Sequence, residues 1–360
     1  MLQSILVESS FAPQSRPTTL AAIGDSPGME ALVLNQPEGV TALEKRDVSI
    51  PTPSAGEIRI DVRAVGLNPV DYKLARDGHS DWEYPHILGL DVAGIVDSVG
   101  DGIYQWREGD AVYYHADLSQ RGGFAEYAVT DAHVVAPMPE NRSFVEAAAV
   151  PCAGLTAYQA IDRRLDVESG KSILVHGGSG GVGGFAVQFA RLAGLTVYTT
   201  CSPENETYVH RLGADVAIDY HAESIPDRID NLTGGLGVDY IVDIVGGDTV
   251  NEAVGCLAFG GELACVSELP DPEIREAADG VSVHDIFLGG AHLVGDRHAQ
   301  EDLARMGREV GTLLTDRNLD PTVSETVELG DVLDALSRLE NGEIQHGKVV
   351  ARIGTSSTHD

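Results

Sequence analysis

The chain has 360 residues and a formal net charge of −32 at pH 7, so it is long enough to form two domains with a sizeable core. Nucleic acid is not expected as a partner, because phosphate binding needs a basic stripe that this sequence does not offer. No apolar run reaches the roughly 18 residues of a membrane helix, and no basic start with a following apolar region marks a secretory signal.

The N-terminal part of the chain predicts an extension followed by a β-rich domain. Residues 1–28 are rich in Ser, Pro, Thr and Ala without a sustained period, so we expect them to lie outside the fold. Residues 30–34 predict a first strand, and residues 57–64 alternate polar and apolar side chains, as in a half-buried antiparallel strand. Short apolar runs separated by glycine turns extend this domain to about Pro151, at 92–99, 111–114 and 124–129.

From Val150 onwards strands and helices alternate, which predicts a parallel sheet. Helices are expected at 156–165, at 204–212 with Ser202 as the cap, and near 301–314. Strands are expected at 173–176, 195–200, 217–218, 238–245 and 262–267. The apolar stretch 286–294 is expected to be the last strand of this sheet.

A glycine-rich loop after Val175 is the strongest motif. Gly178, Gly180 and Gly183 have G-x-G-x-x-G spacing, and a buried strand precedes them while an apolar stripe at helical period follows. Glycine lets the chain turn sharply and lets a pyrophosphate approach the backbone, where the helix N-terminus offers unpaired N–H groups. The motif therefore predicts dinucleotide binding, and a purely structural glycine turn is the alternative.

The cysteines and the acidic residues indicate the protein's environment. The acidic residues are spread along the chain, which is typical of halophilic proteins that stay soluble in concentrated salt. A basic partner is the alternative, although such partners usually meet a localised acidic block. The cysteines form no C-x-x-C pair, which argues against a disulfide framework or a zinc lobe and favours a reducing cytoplasm; they are Cys152, Cys201, Cys256 and Cys265.

A family resemblance extends from Met29 to Gly354. It is carried by seven segments, at 66–71, 88–94, 154–158, 177–183, 213–215, 245–247 and 347–350. Together they resemble the medium-chain dehydrogenase/reductase superfamily, and within it the zinc-free quinone oxidoreductase branch that includes zeta-crystallin. The resemblance implies an α/β fold in which a Rossmann doubly wound parallel sheet, residues 154–295, is inserted in a GroES-like β-barrel catalytic domain of residues 29–153 and 296–354.

The resemblance also argues against a catalytic zinc. Where zinc alcohol dehydrogenases have ligands, this chain has Asn68 and Leu90, and Cys152 alone occupies a ligand position, whereas a catalytic zinc needs three protein ligands. Val70 replaces the hydroxyl that relays the alcohol proton in those enzymes. We expect no metal, although a different metal could in principle be held by His79, His86, Asp91 and His115.

Without a metal, the favoured substrate is a conjugated one. An isolated carbonyl is hard to reduce, because the alkoxide that forms needs strong electrostatic help. In a quinone or enone the hydride moves charge to a distant oxygen, where one hydrogen-bond donor and later protonation suffice. The resemblance therefore implies hydride transfer from NADPH to a quinone or α,β-unsaturated carbonyl. The alternatives are an alcohol or aldehyde dehydrogenase of the same superfamily and a non-catalytic NADPH-binding protein.

The catalytic residues implied by the resemblance are Asn68, Tyr72 and His79. Related reductases have a tyrosine about eleven positions after the asparagine, where this chain has His79, with Tyr72 and Tyr84 nearby. Tyr72 and His79 are therefore the candidate proton donors, although a tyrosine in a β-rich domain is more often a packed side chain. Asn68 is expected to hydrogen-bond the cofactor.

NADP is favoured over NAD, because Thr199 to Ser202 include no acid to hold the ribose 2′-hydroxyl. Ser202 and Tyr220 resemble family residues near the 2′-phosphate, but Asn205 replaces a lysine, for which Arg211 could substitute if it is not simply a solvated helix residue. The other implied cofactor contacts are Thr156, Gly178, Gly180, Gly181, Val182, Gly183, Val245 and Lys348. Lys348 could instead form a surface ion pair. The resemblance further implies a homodimer through the edge strand near 286–294.

Overall fold

The computed structural model describes residues 28–278, 280–317 and 319–354. The predicted extension 1–28 therefore lies outside the described residues, apart from Gly28, which begins the first strand. The described residues form two compact units. One, called here the nucleotide unit, comprises residues 156–288 and 345–347; the other, called the β-rich unit, comprises the remaining described residues.

The β-rich unit contains two sheets. Up to residue 150 its elements are β1 (Gly28–Leu34), β2 (Leu43–Ser49), β3 (Glu57–Gly66), α1 (Pro69–Asp77), β4 (His86–Ile87), β5 (Asp91–Val99), β6 (Ala111–His115), β7 (Tyr127–Asp131), β8 (Ala136–Pro137) and α2 (Phe144–Ala148). Side chains along β3 alternate between buried and partly exposed, which confirms the predicted half-buried strand. β3 pairs with β5 and β7 in antiparallel register, so it lies at the centre of the larger sheet.

Helix α3 (Pro151–Tyr158) leads into the nucleotide unit and continues as a π-helical segment, Gln159–Arg164. The elements that follow are β9 (Ser172–Val175), α4 (Gly181–Leu192), β10 (Thr196–Cys201), α5 (Glu206–Leu212), β11 (Val216–Asp219), α6 (Ile225–Thr233), β12 (Val238–Asp243), α7 (Asp248–Gly255), β13 (Leu257–Cys265), α8 (Pro272–Ala277) and β14 (Ser282–Asp285). The chain then returns to the β-rich unit with α9 (Gly290–Leu293), α10 (Arg297–Asp316), β15 (Val323–Glu328), α11 (Val332–Glu340) and β16 (Lys348–Arg352).

The sheet of the nucleotide unit is parallel throughout, with strand order β11-β10-β9-β12-β13-β14. The predicted parallel Rossmann sheet is thus confirmed. Strands β9 to β11 extend the sheet in one direction and β12 to β14 in the other, so the order reverses where β9 meets β12. In open parallel sheets, ligands bind outside the carboxyl ends of the strands at this reversal.

The prediction of a last strand at residues 286–294 is wrong. The last strand is β14, and residues 290–293 form the short helix α9. The apolar run misled the prediction because Ile286 and Leu288 are buried although β14 ends at Asp285, and Gly289-Gly290 interrupts the run. β14 itself has the sequence Ser-Val-His-Asp and is only partly buried, so it carries little apolar signal.

Two other predicted boundaries need correction. Helix α5 begins at Glu206, because Pro203–Asn205 form a separate 3₁₀ turn, and the Ser202 side chain makes no capping hydrogen bond. The helix expected at 156–165 begins earlier, at Pro151. Within the described residues, no helix has the length and apolar content that crossing a membrane requires.

Candidate functional site

The glycine loop of the nucleotide unit is fastened to the neighbouring strand β10. The Gly177 amide donates to the Thr200 hydroxyl at 2.9 Å, and the Gly178 amide donates to the Thr200 carbonyl at 3.1 Å. Gly177 has a φ of +72°, a conformation that favours glycine because it has no Cβ. The loop is therefore held in one shape by the carboxyl end of β10.

The glycines of the loop differ in what surrounds them. A Cβ on Gly183 would lie 2.1 Å from the Gly177 carbonyl oxygen, and one on Gly178 would lie 1.9 Å from the Thr199 hydroxyl. A Cβ on Gly180 would meet only the Gly177 oxygen, at 3.5 Å. Gly178 and Gly183 thus permit close packing, whereas Gly180 borders open space.

The start of α4 forms a cradle of the kind that a pyrophosphate needs. Gly180 precedes the helix and has no side chain to cap it, and the first amides of a helix have no intrahelical acceptor. The first intrahelical bond runs from the Gly184 amide to the Gly180 carbonyl. Gly180 also forms a parallel bridge with Gly347, which directs the Gly181 amide towards the Gly347 carbonyl. The amides of Val182 and Gly183 and the helix dipole favour an anion here, so the site fits a dinucleotide.

A return segment, Gln345–Gly347, covers one side of this loop within the nucleotide unit. The Gly347 amide donates to the Ser179 carbonyl at 2.8 Å. The Asn205 side-chain amide donates to the Gln345 carbonyl at 2.9 Å and to the Ser202 hydroxyl at 3.3 Å. The structure thus brings Ser202 and the glycine loop into one contiguous region.

Acidic groups surround the carboxyl end of β10, and the helix that follows it, α5, carries Arg211 in its last turn. The Arg211 guanidinium lies 5.1 Å from the centre of the Tyr208 ring, so this arginine packs on the protein as well as meeting solvent. Tyr220 is half exposed and lies against the His221 ring. Burial, with Glu206, Asp219 and Glu204 nearby, raises the pKa of the Cys201 thiol to about 11.

The turn after β12 holds Val245, whose side chain is 55% exposed. The Asp243 carboxylate accepts a hydrogen bond from the Gly246 amide at 2.7 Å, and the Gly247 amide donates to Glu268 at 2.9 Å. These bonds fix the turn beside the reversal in strand order. Thr156, by contrast, is buried in α3.

The β-rich unit contains a second candidate site, a buried polar network around Lys348. The Lys348 ammonium donates to the Leu67 carbonyl at 2.9 Å, to the Asn68 side-chain oxygen and to Asp91 at 3.1 Å. The Asn68 amide nitrogen donates to Asp91 at 2.9 Å, and the Asn68 backbone amide donates to Asp71 at 2.8 Å. The alternative of a surface ion pair for Lys348 is wrong, because Lys348 is 5% exposed and Asp91 is fully buried.

The three acidic or thiol groups of this network titrate abnormally. Burial raises the pKa of Asp91, although Lys348 and Asn68 act in the opposite direction. Burial raises the pKa of Asp71 to about 7. Burial, followed by the charge of Asp91, raises the pKa of the Cys152 thiol far above its usual value. Cys152 is therefore a neutral thiol in the structure as it stands.

These residues do not fit a catalytic zinc. Asp91, His115 and Cys152 place ligand atoms within 4.8 Å of one another. However, the Asp91 oxygens already accept from Asn68, Lys348 and the Cys152 amide. A divalent ion would have to displace the ammonium and deprotonate a neutral thiol.

Two of the other expected metal candidates lie apart from this cluster. His86 stacks on Trp82 with ring centres 3.9 Å apart, and burial lowers its pKa to about 3. His79 lies 6.0 Å from the Trp82 ring and accepts a bond from the Asp81 amide.

The candidate donors are not joined to the Lys348 network. Tyr72 lies on α1, packed against the apolar core, and burial and the nearby Glu340 raise its pKa. In the part of the chain that the structure describes, neither Tyr72 nor His79 hydrogen-bonds a member of the network. The role of each stays a prediction.

Several site residues were not foreseen. The Asp91–Lys348 ion pair, the position of His115 and a buried His176–Asp243 pair have no sequence signal of their own, because each joins distant positions. The one hint was that His176 and Asp243 lie in predicted strands of the parallel sheet, whose carboxyl ends are where ligands bind.

Known families match both units. Residues 54–140 match the family described as the alcohol dehydrogenase GroES-like domain, and residues 181–310 match the family described as zinc-binding dehydrogenase. The matched ranges confirm the predicted combination of a GroES-like domain and a Rossmann sheet.

Individual proteins are similar over most of the chain. The quinone oxidoreductase of Sus scrofa is 34% identical over 272 residues, which cover 74% of this chain and 82% of that protein. A solved structure of the quinone oxidoreductase from Coxiella burnetii has a TM-score of 0.78 at 29% identity and covers 91% of this chain and 100% of that chain. A zinc-type alcohol dehydrogenase-like protein of Staphylococcus epidermidis is 36% identical over 205 residues, or 55% of this chain and 60% of that protein.

Proposed function

Because this chain belongs to the medium-chain dehydrogenase/reductase superfamily, in its quinone oxidoreductase-like branch, we propose that it transfers a hydride from NADPH to a quinone or an α,β-unsaturated carbonyl without zinc. The observation that carries the zinc-free mechanism is the buried ion pair of Lys348 with Asp91. Its ammonium lies among the residues that would otherwise be candidate metal ligands.

NADPH, when bound, supplies the hydride. The amides of Val182 and Gly183 bind its pyrophosphate beside Gly181, and the missing side chain of Gly180 leaves room for it. Ser202, Tyr220 and Arg211 bind the 2′-phosphate end. The half-exposed Val245 contacts the cofactor, and Thr156 supports it from α3.

Asn68 and Lys348 serve this reaction as positioning residues. An ammonium has three N–H donors, and those of Lys348 all find acceptors within the network. Both amide hydrogens of Asn68 are engaged too, by Asp91 and the Gly66 carbonyl. Neither group has a free hydrogen for the substrate, so the proton comes from His79, Tyr72 or water.

The most informative experiment is a screen of NADPH oxidation by quinones, enones and simple aldehydes and of NADP reduction by simple alcohols, with zinc measured on the same sample. We expect turnover with conjugated acceptors and far less than one zinc ion per protein chain. Turnover with alcohols, or stoichiometric zinc, contradicts the proposal. NADPH binding without oxidation across the whole panel would favour a non-catalytic role.

An alcohol dehydrogenase is the second candidate function. The cluster of Asp91, His115 and Cys152 and the similarity to the Staphylococcus epidermidis protein favour it. The same screen separates the two functions, because alcohol oxidation at the expense of NADP would accompany bound metal.

Cofactor preference needs its own measurement, because Glu204, Glu206 and Asp219 lie near the 2′-phosphate position. We expect a lower Kd for NADPH than for NADH, with Arg211 supplying the compensating charge. Arg211→Ala should raise the Kd for NADPH and leave that for NADH unchanged. An equal change in both dissociation constants contradicts the role of Arg211.

The assembly and the environment are further parts of the proposal. Among the described residues β14 is the end strand of its sheet, and an unpaired strand edge is a template for pairing, so we assign a homodimer through β14. The net charge of −32 and four unpaired thiols are consistent with a salt-rich, reducing cytoplasm. Light scattering tests the dimer, and a melting temperature that rises with KCl concentration tests the adaptation to salt.

A further inference from the structure

A buried histidine and a buried aspartate meet beneath the glycine loop. His176 directly follows β9 and Asp243 ends β12, and these two strands are parallel neighbours. The His176 Nδ1 atom lies 3.4 Å from an Asp243 carboxylate oxygen, and the two side chains are 1% and 0% exposed. The pair therefore lies at the point where the strand order reverses.

Each member of the pair is attached to a different loop. His176 precedes Gly177, the first residue of the glycine loop. Asp243 holds the turn at residues 244–247, because one of its oxygens accepts from the Gly246 amide and it also bonds the Val245 backbone. The other oxygen faces His176.

The pair is costly to bury, which calls for an explanation. Among the described residues, the two His176 nitrogens and the Asp243 oxygen that faces them have no hydrogen-bond partner, so their 3.4 Å approach is a polar contact and not a hydrogen bond. A buried polar group without a partner costs about 1–3 kcal/mol. Burial lowers the pKa of His176 to about 4, so its imidazole is neutral at pH 7 and can donate one N–H.

The two loops serve the two halves of a dinucleotide. Rossmann sheets consist of two mononucleotide-binding halves on either side of the strand reversal. Strands β9 to β11 carry the glycine loop and Ser202 and take the adenosine half. The turn after β12 therefore belongs to the nicotinamide half.

We propose that His176 is a positioning residue that acts through Asp243. It ties the loop that binds the pyrophosphate to the turn that contacts the nicotinamide half, so that Val245 is held in place for the bound cofactor. The assignment rests on the proposed function, because it requires that the nucleotide unit binds NADPH.

The test compares NADPH with 2′-phospho-ADP-ribose, which has the same adenosine and pyrophosphate but no nicotinamide. Calorimetry gives the Kd of each ligand for the wild type, His176→Leu, His176→Asn and Asp243→Asn. If the polar contact with Asp243 holds the turn in place, His176→Leu should raise the Kd for NADPH about tenfold. The Kd for 2′-phospho-ADP-ribose should change less than about twofold, because this ligand has no nicotinamide for the turn to contact. A change of that size is within the ordinary deviation between independent mutations.

The conservative variant separates positioning from general stability. The amide nitrogen of an asparagine occupies nearly the place of His Nδ1, so His176→Asn should restore NADPH binding. His284→Leu is the matched control, because His284 bonds Glu262 at 3.0 Å on the same sheet without lying at the strand reversal. It should leave both dissociation constants unchanged. If His176→Leu does not fold, Asp243→Asn, which keeps an acceptor for Gly246, should show the same selective loss.

Three outcomes overturn the assignment. Equal weakening of both ligands would show that the pair supports the fold alone, and unchanged NADPH binding would show that it has no role in positioning. Failure of His176→Asn to restore binding would show that the imidazole acts in another way. If the wild-type protein binds neither ligand, the proposed function fails, and this assignment fails with it.

Discussion

The ammonium group of Lys348 lies 3.1 Å from the carboxylate of Asp91, although 257 positions separate the two residues in the chain. Both side chains are buried, and the carboxylate also bonds Asn68 and the Cys152 amide. In the proposed zinc-free mechanism, this ammonium provides positive charge where a metal ion would otherwise provide it. Lys348 is therefore the counter-ion of a buried carboxylate in the β-rich unit.

Removing that lysine should strongly destabilise the protein. Lys348→Met leaves the Asp91 carboxylate buried without its cation, and breaking a buried pair costs about 3–5 kcal/mol. Urea unfolding of the variant should show a loss of that size. Adding Asp91→Asn to Lys348→Met should recover part of it, and a double variant less stable than the single one would contradict the ion-pair account. Lys73→Met, a replacement on helix α1, is the control.

Asp71 should make stability depend on pH. Its folded-state pKa, about 7, lies above its ordinary value of 3.8, so between these values the folded chain binds more protons than the unfolded chain. Stability from this group is therefore present at low pH and lost as pH rises through about 7. Urea midpoints of the wild type and Asp71→Asn should diverge from pH 5 to pH 8, with the wild type losing more. Parallel profiles would show that Asp71 does not titrate in this range.

Two glycines of the nucleotide loop should respond differently to alanine. Gly183→Ala places a Cβ 2.1 Å from the Gly177 carbonyl, and such overpacking costs about 1–3 kcal/mol. Gly180→Ala meets only an atom at 3.5 Å, so its melting temperature should match the wild type while its Kd for NADPH rises about tenfold or more. Gly180→Ala with wild-type NADPH binding would contradict the position of the pyrophosphate.

The proton donor can be identified by kinetics. General acids contribute about 100-fold or more to a rate, so either Tyr72→Phe or His79→Ala should lower turnover by that factor and leave the Kd for NADPH unchanged. Tyr104→Phe is the matched control, because Tyr104 is 94% exposed. Wild-type turnover in both Tyr72→Phe and His79→Ala would remove both assignments and leave water as the donor.

Local sequence patterns predicted the nucleotide unit better than the second site. The glycine loop and the helix after it follow from residues that are neighbours in sequence, so Gly178, Gly180 and Gly183 could be placed in advance. β14 was misplaced because its pairing, and not an apolar pattern, makes it a strand. β3 was predicted correctly because polar and apolar residues alternate along its own sequence.

Contacts between distant segments explain what the sequence did not reveal. Lys348 matched a family cofactor position, but its contacts with Leu67, Asn68 and Asp91 depend on β16 pairing with β3. The His176–Asp243 contact likewise depends on β9 pairing with β12. Strand order fixes such pairs, and a single sequence does not give strand order.

Single-turnover stopped-flow spectrophotometry tests the central claim most directly. The protein is treated with a strong chelator, its zinc content is measured, and the absorbance of bound NADPH is followed after mixing with a quinone. The account predicts the same rate of NADPH oxidation before and after chelation. A rate that is lost with the chelator and restored by zinc would contradict it.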